Sequence, residues 1–254
     1  VRASITLAAD APYFDGHFPG RPILPGVVEL ALMAEAARHV SGRDDPVHTI
    51  PFARLRHLVV PGDRLELSAR KSGADDRIRV DVTRGDTVVA NATLGLGALR
   101  PGAAAAQRAD MVPPPANAPA PEVLLPQHPP MRFVTAIAGE AVDGLVCTAR
   151  VPAACSLVTD GSAPALAAIE AAAQAAAAWE GLRRWRDGGD AAPRMGYLVA
   201  LRDIVFFATH VPADTDLLVA IRLVAAAPPL AHYAVEVEHG ARRILRGTIA
   251  TVLA

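Results

Sequence analysis

The sequence predicts an α+β protein built from two copies of one unit, in which a long helix lies against several antiparallel strands. Three observations lead there. The same order of elements, an extended lead-in, one long apolar helix pattern and then four β-like runs, occurs twice in 254 residues. A stretch rich in proline and alanine, Pro101 to Pro121, separates the two copies and reads as a semi-extended linker. Apolar residues make up 52% of the chain and aromatics only 4%, so the interior must be built from Ala, Val, Leu and Ile. The expected organisation is a first domain over 1–100, a linker over 101–121 and a second domain over 122–254.

In the first half Ser4–Leu7 reads as a strand and Pro25–Val40 as the helix. Strands follow around Pro51–Val60, Leu65–Lys71, Ile78–Thr83 and Thr87–Leu96, the last two joined by the turn pair Gly85-Asp86. In the second half Gly144–Val151 is a strand and Pro164–Trp185 the helix, with Ser162 as its cap and Pro164 in its first turn. Strands follow around Gly196–Phe207, Leu217–Val224, His232–Glu238 and Arg243–Val252, with His239-Gly240 in the matching turn. Ile50–Pro61 and Leu198–Pro212 share a texture: an arginine, apolar alternation, then a proline.

Bulk composition argues against several functional classes. Net charge is −1, which gives no global field toward nucleic acid or an acidic membrane. Cys147 and Cys155 are the only cysteines, too few for a disulfide framework, and the eight histidines show no metal-type spacing. No apolar run has membrane-spanning length, and no signal-peptide pattern opens the chain. The expectation is a cytoplasmic protein without a metal-type ligand cluster. The single lysine, Lys71, beside many arginines and alanines reads as coding bias.

Gly16-His17-Phe18-Pro19-Gly20-Arg21-Pro22-Ile23-Leu24-Pro25-Gly26 places one imidazole in a loop stiffened by three prolines and shaped by glycines, just ahead of a helix. Helix N-termini offer free N–H groups and partial positive charge to a developing oxyanion, so the segment suits a base placed against a bound carbonyl. The plain alternative for His17 is a solvated or turn-capping loop histidine. The second helix, Pro164–Ala178, is apolar all round apart from Glu170 and Gln174, four apart and on one face. A carboxylate inside such a helix needs a reason. Catalysis is one; a partner such as Arg202, or a face left open by the sheet, is the other.

The run Ile5–Ala36, and above all Pro12 to Val27, resembles the FabA/FabZ-type (3R)-hydroxyacyl-acyl-carrier-protein dehydratases. That resemblance implies a double hot dog, two antiparallel sheets each wrapped around one long helix and joined across the domain interface. It puts the family's base on His17 and its carbonyl-polarising N–H on Gly26. The family's acid lies fourteen residues after the histidine, where this chain has Ala31; Glu29 and Glu35 stand two positions early and four late. The second half carries Glu170-Ala171-Ala172-Ala173-Gln174, which is similar to the family's acid segment, but the fourteenth residue before Glu170 is Ser156. Because the family's dimer builds each site from the histidine of one hot dog and the carboxylate of the other, the resemblance implies one complete site, His17 with Glu170, and one silent site, Ser156 with Ala31. Leu124-Leu125-Pro126-Gln127-His128-Pro129-Pro130-Met131 and Gly196-Tyr197-Leu198 resemble the dehydratase-like partner proteins of aryl polyene clusters.

The activity implied is dehydration of a 3-hydroxyacyl thioester on an acyl carrier protein to the trans-2-enoyl thioester. His17 would be the base and Glu170 the acid, with Gly26 and Gln174 as substrate-binding residues, and the reaction so implied needs no metal and no organic cofactor. The setting implied is fatty acid, polyketide or aryl polyene biosynthesis. The partner implied is a carrier protein bearing a phosphopantetheine arm, with Arg21, Arg54, Arg56, Arg183, Arg184 and Arg186 as candidate contacts; neither nucleic acid nor membrane is expected, and further pairing of chains is left open. A thioesterase of the same fold, with Glu170 beside a water, and a non-catalytic carrier-binding protein are the alternatives. Cys155 and His128 read as structural.

Overall fold

The structure, a computed structural model, describes residues 2–73, 76–102 and 111–253. The first half folds as β1 (Arg2–Thr6), α1 (Gly26–Ser41), β2 (Val47–Leu55), β3 (Arg64–Lys71), β4 (Arg77–Arg84) and β5 (Thr87–Leu96). The second half folds as α2 (Pro121–Leu124), β6 (Val134–Ala141), β7 (Gly144–Ala149), β8 (Ser162–Pro164), α3 (Ala167–Arg186), β9 (Gly196–Phe206), β10 (His210–Pro212), β11 (Leu217–Ala227), β12 (Leu230–His239) and β13 (Arg242–Leu253).

Strand alternation follows the period of two. In β3, Leu65, Leu67 and Ala69 are buried while Glu66, Ser68 and Arg70 face out. The helices form from different materials. Gly42 ends α1 in the left-handed region, at φ 69°, and its N–H donates to the Arg38 carbonyl. Alanine, the strongest helix former, dominates α3 and lets the sheet approach closely.

The two halves share one antiparallel sheet of eleven strands, in the order β1-β3-β4-β5-β2-β9-β13-β12-β11-β7-β6. The seam is the β2–β9 pair, with Ile50 opposite Ile204 and Ala53 opposite Leu201, reinforced by the Thr49 hydroxyl donating 2.9 Å to the Ile204 carbonyl. The two segments whose textures match in the sequence are therefore the two that meet. The sheet curls around both helices: α1 packs on β3, β4 and β5, α3 packs on β7, β11, β12 and β13, and the helices touch each other. This is the double hot dog, with one continuous apolar core through both halves.

Some expectations need correction. Ser162 and Pro164 do not open α3. They pair with β10 as β8, and the Ala165 N–H donates to the Thr209 carbonyl at 2.8 Å, so helical bonding is deferred to Ala167. Strand β2 starts at Val47, not Pro51: Val47 and Thr49 already pair with Leu96 and Gly95 of β5, and the ladder continues past Pro51, which lacks an N–H, with a register shift between Thr49 and Phe52. It stops at Leu55, where Arg56 and His57 both donate to the Val89 carbonyl. Part of the predicted linker, residues 103–110, lies outside the described residues. Its later part is not a plain spacer: Val112 bridges Glu140 beside β6, and Pro121 begins α2, which docks on α3 and β6. No described helix is long and apolar enough to cross a membrane, and no group of three or more metal-ligating side chains forms among the described residues.

Candidate active site

The loop that carries His17 is fixed at both ends. A short turn, Pro12–Phe14, precedes it, the His17 N–H donates to Phe14, and the Leu24 N–H donates to Val59 at 2.8 Å. Gly16, at φ +76°, lies against the backbone of the second half, and the His128 N–H donates to its carbonyl at 3.0 Å. A Cβ at position 16 would stand 2.2 Å from the His128 carbonyl oxygen. Gly16→Ala should therefore lower the melting temperature and the turnover together. The left-handed backbone alone costs about 1–2 kcal/mol, and relief of the clash must move the His17 loop and the His128 backbone apart; thermal unfolding and an activity assay on one preparation check both.

His17 is buried, and its Nδ1 lies 2.9 Å from the Ile23 carbonyl oxygen. A carbonyl can only accept, so Nδ1 carries the hydrogen and Nε2 of the neutral ring keeps a free lone pair. Phe18 packs against the imidazole, with Tyr197 edge-on to Phe18.

Glu170, 3% exposed, sits in α3 with Gln174 one turn behind it. The Gln174 amide nitrogen donates 2.9 Å to Glu170 Oε1 and 2.6 Å to the Met131 carbonyl, and its oxygen accepts from the Phe133 and Val134 N–H groups at 2.7 and 3.2 Å. Every polar atom of this fully buried amide is used, which fixes its orientation and the carboxylate's with it. Arg202 instead lies over the Phe52 ring.

His17, Gly26 and Glu170, two from the first half and one from the second, line a single cavity of about 440 Å³. Gln174 is not on its wall; it holds Glu170 from behind. Gly26 opens α1, so its N–H has no partner within the helix. One wall is the face of α3 that carries Ala173, Ala176, Ala177 and Glu180 and ends at Arg183 and Arg184. From Glu170 to Arg184 that face is about 20 Å long. Alanines leave the middle of the cavity open, and Arg183, Arg184 and Arg194 make its far end cationic; Arg56 also reaches the wall. Arg186 pairs with Glu140 instead, and Arg54 lies over Phe52.

The other half of the pseudo-symmetric pair is different. Ala31 and Ala165 line a second cavity of about 430 Å³, which Ser156 does not reach. Ala165, nine residues after Ser156 as Gly26 is nine after His17, has its N–H committed to Thr209. Cys155 is buried against the Met131 sulfur, and burial pushes its thiol above the ordinary range, so it is no ready nucleophile. The His128 backbone braces the His17 loop through Gly16.

Sequence reasoning passed over Glu29 because its distance from His17 is wrong for the family's acid. It lines the same cavity, is 4% exposed, and its Oε2 has no hydrogen-bond partner. Burial raises its carboxyl from 4.5 to about 8. The native protein thus keeps a proton that the unfolded chain loses between those values, so Glu29 lowers stability as pH rises from about 4.5 to 8. At about 1.4 kcal/mol per unit, Glu29→Gln should flatten this part of the stability profile and raise the melting temperature most at pH 8 and above, as thermal unfolding of both proteins across pH 5–9 would show.

The ApeP-like family profile (ApeP dehydratase) matches residues 119–254, and the ApeI-like profile (ApeI dehydratase) matches residues 1–93. The first half is similar to 3-hydroxyacyl-[acyl-carrier-protein] dehydratase FabZ of Rhizobium rhizogenes, 37% identical over 99 residues, covering 35% of this chain and 63% of the relative. FabZ of Brucella ovis is 46% identical over 68 residues, 24% of this chain and 43% of the relative. The chain thus spans about half the length of the curated relatives it matches. Among solved structures, the dehydratase domain of PpsC from Mycobacterium tuberculosis, in complex with C12:1-CoA, superposes with a TM-score of 0.71 at 16% identity, covering 100% of this chain and 93% of that one; this likeness concerns the fold.

Proposed function

Since this chain belongs to the ApeP-like dehydratase family, whose profile spans more than half of it, we propose that it removes water from a 3-hydroxyacyl thioester carried on an acyl carrier protein, giving the trans-2-enoyl thioester. The observation that carries this reading is the convergence of His17 and Glu170, from opposite halves, on one cavity. His17 Nε2 takes the C2 proton. Glu170 protonates the departing 3-hydroxyl, so that water leaves and the C2–C3 double bond forms. The Gly26 N–H strengthens its bond to the thioester oxygen as that atom gains enolate character. Gln174 positions Glu170. The alanine-walled length of the cavity suits an extended chain, and its arginine end suits the anionic arm or surface of a carrier.

The test is an assay of the purified chain against a panel of 3-hydroxyacyl thioesters of different lengths, on carrier protein and on coenzyme A, with products identified by mass. Enoyl thioester supports the reading. Release of free thiol would make the protein a thioesterase, and thioester binding without turnover would make it a carrier-binding protein.

A further inference from the structure

Glu29 is a buried carboxyl with an unpartnered oxygen on the wall of the active cavity, one helical turn from Gly26. Residues three apart on a helix share a face. Helical side chains lean toward the N-terminus, so the Glu29 side chain leans over the first turn of α1, where Gly26 presents no Cβ of its own. We propose that Glu29 completes the carbonyl-binding pocket, its carboxyl O–H and the Gly26 N–H together donating hydrogen bonds to the thioester oxygen of the substrate.

This inference rests on the dehydratase reading. The proton stays on Glu29 throughout: Glu29 is a donor that strengthens as negative charge builds on the oxygen, while His17 and Glu170 carry out the proton transfers. Burial alone pushes the Glu29 carboxyl up to about 8, against the pull of the helix N-terminus toward the anion. The titratable groups facing the same cavity are His17 from the loop, Arg56 and His57 beyond β2, Glu170 and Glu180 from α3, and Tyr197 from β9, besides the arginines of the far end. None of them contributes to the shift. A neutral acid in an apolar pocket is a known way to stabilise an enolate oxygen.

The test compares wild type, Glu29→Gln and Glu29→Leu in the full chain, with the 3-hydroxyacyl thioester that the wild type turns over best. Glutamine keeps a donor and cannot ionise; leucine keeps the bulk and loses the donor. Glu29→Leu should lower kcat about 100-fold with little change in KM. Glu29→Gln should stay within a few-fold of wild type at neutral pH and hold its rate above pH 8, where the wild type declines. Wild-type kcat in Glu29→Leu, equal damage in both variants, or an alkaline limb shared by wild type and Glu29→Gln would each overturn the proposal. A second readout needs no turnover. The infrared difference spectrum of wild type minus Glu29→Gln should show a protonated-carboxyl band at neutral pH that shifts when a trans-2-enoyl thioester binds; no band, or a band that does not move, refutes the role. If the wild type turns over none of the thioesters yet this band shifts, the dehydratase reading fails and the carbonyl contact stands.

Discussion

His17→Ala should leave dehydration at or below about a thousandth of the wild-type rate, the upper part of the range for a lost general base. Nδ1 is committed to the Ile23 carbonyl, so of the two nitrogens of His17 only Nε2 is left to take a proton in the cavity. The variant loses one buried hydrogen bond, worth about 1 kcal/mol, and should remain folded. Formation of enoyl thioester, followed by ultraviolet absorbance on preparations matched by circular dichroism, gives the comparison; turnover within tenfold of wild type would remove His17 from the mechanism.

Glu170→Gln is expected to cost about two to four orders of magnitude with the fold intact. The substituted side chain still offers an oxygen to the Gln174 amide, so the buried network of Gln174 with Met131, Phe133 and Val134 survives while the acidic proton is lost. A single substitution in the second half would then silence a base in the first, which is the kinetic signature of a composite site. Full activity here, with loss in Glu29→Gln or Glu35→Gln, would move the acid into the first half.

What the sequence made legible was what is local. The His17 loop and the start of α1 form one continuous motif, and Glu170 announces itself as a charge in an apolar helix. The shared sheet could be anticipated because each half repeats the same elements. The partners of Gln174 could not, since they lie about forty residues away and are supplied by backbone groups that any sequence would offer. Strand β6 was missed because Ala136, Ala138 and Gly139 blur its alternation and its ladder with β7 shifts register twice. The start of α3 was misplaced because Ser162 and Pro164 suit a helix cap equally well in isolation; only β10 decides that they form a strand. Glu29 was visible, but spacing along the chain from His17 obscured its spacing on the helix from Gly26.

The β2–β9 seam also sets a stoichiometry. Two separate hot dogs that shared a site would be subject to mass action, parting on dilution and competing with pairings of like with like. Placed on one chain, each half meets its complement at a high effective concentration whatever the total amount of protein, and every molecule carries the same ratio of one imidazole to one acid. Specific activity should therefore not fall as the protein is diluted. The covalent tie also removes the constraint that binds a homodimer, in which every substitution appears twice, so Ala31 and Ser156 could change without harm to Glu170 and His17.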